Sequence, residues 1–249
     1  MKALFYWVLY PLTRPFFLVF LILNTLVLGI LVIAISLIDS RGNLVHYVGK
    51  FWSLLNLHLT GTRLTLRGGE KIEEGRPYIV MSNHQSLLDV WALIGRIPLQ
   101  IRWIVKIELR KIPVFGYALE RMGHIYIDRG DHENAYRGLD VAADRIRGGT
   151  SVIIFPEGTR SGDGRLLRFK RGGSYIAIKS GVSILPVTVN GGRFALPKGT
   201  MALLPGKMEI IIGDPIDPRS YGIEDQERLM GSVKSAIENN LDLEYGSPL

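Results

Sequence analysis

The chain is 249 residues long, 47% hydrophobic and 21% charged, which excludes a disordered or low-complexity protein. It has no cysteine, so disulfides, thiol nucleophiles and thiolate-held zinc or iron–sulfur centres are ruled out. The formal charge is +7, and the excess sits in residues 100–180, with fifteen basic and nine acidic side chains; such a balance points to an anionic partner.

Residues 16–38 carry no ionisable side chain and only Asn24, Thr25 and Ser36 as polar ones. As a helix they would extend about 34 Å, roughly the hydrocarbon thickness of a bilayer. Residues 4–12 upstream are apolar and aromatic, and residues 45–59 downstream read as amphipathic. Residues 1–60 are therefore expected to form a helical membrane anchor. Lys2 and Arg14 on one side balance Arg41 and Lys50 on the other, so a single span and a hairpin within one leaflet both stay open.

Residues 61–249 read as one α/β domain, a central sheet covered by helices. Strands are expected over 63–67, 78–82, 102–105, 124–127, 152–155, 184–189 and 208–212. Helices are expected over 87–94, 114–121, 133–147, 172–180 and 224–241. Several strands are unbroken apolar runs, as in Val152-Ile153-Ile154-Phe155, which suits a sheet buried on both faces.

Two polar clusters directly follow apolar strands, where α/β sheets usually build their sites. The first contains Asn83, His84, Ser86 and Asp89. His84 and Asp89 would lie about 140° apart on one regular helix, so they meet only if His84 is in the turn and Asp89 in the first helical turn, with Ser86 as the cap. Such a pair is a general base: the carboxylate fixes the imidazole tautomer and stabilises the imidazolium. With no cysteine and no Gly-x-Ser-x-Gly elbow, the base lacks an obvious protein nucleophile and should activate a substrate hydroxyl or a water. No second histidine or carboxylate near His84 has metal-ligand spacing.

The second cluster is Phe155-Pro156-Glu157-Gly158-Thr159-Arg160-Ser161. A guanidinium beside a glycine turn suits phosphate oxygens, although a plain surface turn with Glu157 paired to Arg160 has the same composition. Lys106, at the end of another strand, could add a cation to the pocket. Beyond it, residues 165–171 interleave four cations with apolar residues, which beside a long apolar segment reads as contact with anionic lipid rather than nucleic acid.

Asn83-His84-x4-Asp89 followed by Phe155-Pro156-Glu157-Gly158-Thr159-Arg160 closely resembles the glycerolipid acyltransferases. Lys106-x2-Leu109-x2-Ile112-Pro113-x2-Gly116 and Ile184-Leu185-Pro186-Val187 are similar to that family's second and fourth blocks, in the expected order. Within the family, the Phe-Pro-Glu-Gly-Thr-Arg form is similar to the 1-acylglycerol-3-phosphate enzymes. The resemblance implies acyl transfer from an acyl carrier protein or coenzyme A thioester to the free hydroxyl of lysophosphatidic acid, giving phosphatidic acid without cofactor or metal. It implies His84 as general base and Asp89 as its orienting partner. Glu157, Gly158, Thr159 and Arg160 would line the acceptor site, Arg160 and Lys106 would contact phosphate, and Pro186 would shape the site. Oxyanion donors are expected among backbone amides near His84 or Gly158, and the protein is expected at the cytoplasmic face of the cell membrane. Another acceptor, or a membrane lipid hydrolase using the same dyad on water, are the alternatives.

Overall fold

The computed structural model describes residues 10–39, 42–128, 132–200 and 202–247; the apolar stretch over residues 4–9, Lys2 and Arg41 lie outside them. The chain runs α1 (Tyr10–Ile35), α2 (Asn43–Leu59), β1 (Arg63–Arg67), β2 (Ile79–Ser82), α3 (Leu88–Arg96), β3 (Ile101–Lys106), α4 (Phe115–Arg121) and β4 (Ile125–Ile127). It continues through α5 (His132–Arg147), β5 (Ser151–Ile154), α6 (Gly172–Ser180), β6 (Ile184–Asn190), α7 (Gly192–Ala195), β7 (Lys207–Ile212) and α8 (Gln226–Glu238). The expected elements are all present within a few residues. The last helix starts later than expected because Ile223–Asp225 forms a 3-10 turn, closed where the Asp225 carboxylate accepts the Gly222 amide at 3.1 Å.

The seven strands form one sheet in the order β1-β7-β6-β2-β5-β3-β4. Strands β6, β2, β5, β3 and β4 are mutually parallel; β7 pairs antiparallel with β6 and parallel with β1. From β2 the chain moves outward through β3 to β4, then returns to β5 and β6. Right-handed crossovers therefore put α3 and α4 on one face and α5 and α6 on the other. The neighbours β2 and β5 send their outgoing segments to opposite faces, which opens a crevice at their carboxyl ends.

Alternation along β2 explains the two-sided core. Val80 packs with Leu88, Ala92 and Leu93 of α3, whereas Ile79 and Met81 pack with Ala142, Ile146, Ile176, Ala177, Leu229 and Val233 of α5, α6 and α8. Burying one such aliphatic side chain contributes about 1.5–3 kcal/mol. Pro186 lies in β6 opposite Met81, an interior position that normally rejects proline. On the β7 side the regular ladder stops at Ile212, and the partners there are Gly213 and Ile216, so the missing N–H falls where β7 departs.

Helices α1 and α2 form an antiparallel hairpin. The three polar residues of the apolar segment all face inward: Asn24 exchanges side-chain hydrogen bonds with Asn56 at 3.1 and 3.2 Å, Thr25 Oγ1 accepts from Trp52 Nε1 at 2.9 Å, and Ser36 Oγ accepts from Arg121 of α4 at 2.8 Å. The Asp39 carboxylate caps α2 by accepting the amides of Asn43, Leu44 and Val45. Buried Leu57 ties α2 into the core on the α3 side. Outward, Arg14–Ile35 has mean hydropathy 3.0 and is only 11% buried, with Phe16, Val19, Ile22, Val27 and Ile30 more than half exposed. Among the described residues one helix is thus long and apolar enough to cross a membrane, yet one side of it is packed on α2 and α4.

Candidate active site

The carboxyl ends of β2 and β5 carry the two polar clusters into the crevice between them. Asn83 is pinned to β6: its side chain donates to Val189 O at 2.8 Å and accepts from Val189 N at 2.7 Å. That clamp turns the chain out of β2 and leaves His84 in the turn before α3. Asp89, fully buried, reaches back so that its Oδ2 lies 2.9 Å from His84 Nδ1 and accepts the amides of Gln85 at 2.6 Å and Ser86 at 2.7 Å. The carboxylate thus ties down the turn before α3, and Ser86 Oγ accepts the amide of Leu88, the first helical residue, at 3.2 Å. Three donors on one oxygen hold the carboxylate aimed at the ring.

The His84 ring stacks on Phe155, with centroids 3.9 Å apart and planes 11° from parallel. Phe155 therefore covers one ring face and Asp89 fixes Nδ1, while Nε2 has no protein partner among the described residues. An imidazole oriented in this way leaves Nε2 available as a base toward a substrate.

Glu157 is 3% exposed and does not pair with Arg160. Its Oε1 accepts the His84 amide at 2.8 Å and its Oε2 the Leu167 amide at 3.0 Å. Burial pushes this carboxyl up, and the two amides oppose that shift. One side chain thus joins the histidine turn to the basic segment after the second cluster. The turn is closed further by the Ser161 amide on His84 O at 2.7 Å.

Gly158 has φ +70°, a conformation costly for any side chain. Thr159 is exposed and Arg160 half-buried beside it. Lys106 ends β3 on the same sheet edge, exposed, but with β5 between it and β2, so about 10 Å separates those strands. The structure therefore gathers His84, Asp89, Glu157, Gly158, Thr159 and Arg160, and leaves Lys106 at the rim. Pro186 is buried inside the sheet.

The amides nearest His84 do not match the expected oxyanion role. Those of His84, Gln85 and Ser86 are spent on carboxylates, and that of Gly158 on Phe155 O at 3.0 Å. The amides of Thr159 and Arg160 have no protein acceptor among the described residues.

Two further contributors escape sequence reading. Phe155 appears there as the end of an apolar strand and the first residue of the second cluster, with no role of its own. Gly192, at the start of α7, lies so close under the dyad that a Cβ there would sit 2.2 Å from Asp89 Oδ1. The Gly191-Gly192 pair after β6 signals a turn, but nothing in the sequence ties it to Asp89.

Residues 63–190 match the acyltransferase family profile. A chloroplastic 1-acyl-sn-glycerol-3-phosphate acyltransferase of Arabidopsis thaliana is 31% identical over 200 residues, 80% of this chain and 54% of that protein. The enzyme of the same name from Pseudomonas aeruginosa is 34% identical over 71% of this chain and 69% of its own, and the alpha form of Mus musculus 31% over 86% and 76%. The chain spans little more than half the length of the plant relatives it matches. Among solved structures, the crystal structure of the 1-acyl-sn-glycerophosphate acyltransferase of Thermotoga maritima superposes with a TM-score of 0.80 at 28% identity, covering 94% of this chain and 96% of that one. The family profile covers half the chain, across both polar clusters and the strands that carry them, and on that match the chain belongs to the acyltransferase family.

Proposed function

We propose that this protein transfers an acyl group from a thioester of acyl carrier protein or coenzyme A to the free hydroxyl of lysophosphatidic acid, forming phosphatidic acid. The observation that carries this reading is the oriented His84–Asp89 dyad whose Nε2 meets no serine, threonine or other protein hydroxyl among the described residues. The acceptor's hydroxyl gives its proton to Nε2 as its oxygen attacks the thioester carbonyl carbon. The tetrahedral intermediate collapses with cleavage of the C–S bond, and the imidazolium returns the proton to the leaving thiolate. Asp89 stabilises the imidazolium between these steps. The unspent Thr159 and Arg160 amides offer donors to a substrate oxygen, and the Arg160 and Lys106 side chains supply charge for the acceptor phosphate. No cofactor or metal enters these steps; the thioester is a co-substrate.

The hairpin gives this site access to lipid. Helix α2 runs antiparallel to α3, since Trp52 meets Trp91 while Lys50 reaches Ile97 O. Its end, and the beginning of α1, therefore lie toward the carboxyl edge of the sheet that carries His84. Exposed Leu87, Ile112 and Tyr117 continue the apolar surface there. A helix held to α2 by Asn24 and Thr25 and to the domain by Ser36 favours burial in one leaflet over an isolated span. With a water-soluble donor, that leaflet is the cytoplasmic one.

The test uses purified protein in detergent with labelled acyl thioester, with and without lysophosphatidic acid, beside His84→Ala and Asp89→Asn. Expected is acceptor-dependent phosphatidic acid, lost about 10³-fold or more in kcat in both variants. Free fatty acid formed regardless of acceptor would replace the transferase with a hydrolase.

A further inference from the structure

The sheet face opposite the hairpin carries a trough of about 650 Å³ that starts at Phe155, the ring stacked on His84. Its floor is apolar, made by Ile104, Ile127 and Ile154 of the sheet with Leu139 and Ile176 from the helices above. Its rim is cationic: Arg168, Lys170 and Arg171. One of these cations already answers to a carboxylate. Arg171 is ion-paired with Glu227, and Arg168 lies in the field of the same acid.

Lys170 differs. Its backbone is anchored to the catalytic turn, the amide donating to Pro156 O at 2.8 Å. Its side chain lies over Gly158 so closely that a Cβ there would meet Nζ at 2.9 Å. The ammonium has no hydrogen-bond or ion-pair partner among the described residues. Two constraints thus meet at Gly158, a positive φ and the room this lysine takes. An exposed cation held against the reacting turn, with no protein carboxylate on it among the described residues, is a place for a substrate anion.

We propose that Lys170 binds the phosphate of the acyl donor's phosphopantetheine arm, the group that acyl carrier protein and coenzyme A have in common. The placement favours donor over acceptor. The hairpin that would admit a membrane lipid packs on the α3 and α4 side, whereas Lys170 opens on the α5 and α6 side, with the sheet between. A water-soluble thioester, apolar at its acyl end and phosphate-bearing along its arm, matches a trough with an apolar floor and a rim cation placed against the reacting turn. The inference rests on the thioester-donor reading above, and the experiment separates the two.

Binding of non-reactive thioether analogues, S-alkyl pantetheine and its 4′-phosphate, is measured by calorimetry on the full chain in detergent, independently of turnover. The unmodified protein is expected to bind the phosphorylated analogue about tenfold more tightly. Lys170→Gln should erase that preference while leaving the unphosphorylated analogue within about twofold, and Lys170→Arg should keep most of it. In turnover, Lys170→Gln should raise KM for the phosphorylated donor and leave KM for lysophosphatidic acid unchanged. Equal binding of the two analogues by the unmodified protein, or a variant whose only change is the acceptor's KM, overturns the proposal. Tight, phosphate-dependent binding without any acyl transfer would instead refute the transferase reading and leave the Lys170 site standing.

Discussion

Replacing Glu157 with Gln separates two roles for this carboxylate, contact with the acceptor or bracing of the histidine turn. The geometry favours the brace, because the side chain is 3% exposed and each oxygen already holds one backbone amide. Glutamine has one acceptor oxygen, so it can keep the bond to His84 N or to Leu167 N and must turn an NH2 toward the other. Losing one hydrogen bond to a charged acceptor and leaving a buried N–H facing a donor costs about 2–4 kcal/mol. For a chain of this size that lowers Tm by about 5–12 °C. If the His84 turn relaxes by as much as 1 Å, kcat falls by up to about 10²-fold. The acceptor's KM should stay unchanged, since a carboxylate 3% exposed and turned to two backbone amides is closed to substrate. Steady-state kinetics with varied lysophosphatidic acid, run beside a thermal melt, reads both quantities. A raised acceptor KM with kcat and Tm intact would refute the brace and return Glu157 to the acceptor site.

Gly192→Ala should lower kcat with little change in either KM, because the new methyl must displace Asp89 Oδ1 from 2.2 Å; normal turnover would show that α7 yields instead. Stability should fall on acidification through two buried histidines that take no part in the site. Burial, then the charges of Arg102 and Lys50, holds His46 down to about 4; burial, then Arg102 and His46, holds His124 down to about 3. Both fold neutral and bind a proton more readily when unfolded, so stability is full above the ordinary histidine range near 6.5 and is lost as pH falls below it. At pH 5 the loss is about 2 kcal/mol for each, measurable as a pH-dependent urea midpoint that His46→Gln and His124→Gln flatten. Equal midpoints at pH 7 and pH 5 would contradict it.

Local chemistry made much of this protein legible from the sequence. The 3.6-residue and continuous apolar patterns define the helices and strands, because burial on one or both sides of an element leaves a periodic trace. The dyad spacing was readable for the same kind of reason: a turn followed by a first helical turn is a local geometry, and His84 and Asp89 are only five residues apart. The apolar segment announced itself by length and composition, and its three polar residues stood out as exceptions. What they were for did not. Asn24, Thr25 and Ser36 found partners in Asn56, Trp52 and Arg121, contacts made only when the hairpin folds against α4 and the domain.

The sheet order decided the rest. Glu157 and His84 are 73 residues apart, and only the pairing of β2 with β5 sets the carboxylate under the histidine amide. In the sequence Glu157 reads as a turn charge or, by resemblance, as an acceptor-site residue; in the fold it is enclosed and bonded to two backbone amides. Gly192 meets Asp89 because α7 follows β6, the strand on β2's other side. Residue spacing carries information about neighbours within a turn or two of helix. Contacts across a sheet depend on which strands become adjacent, and that choice is fixed by burying all faces of all elements at once.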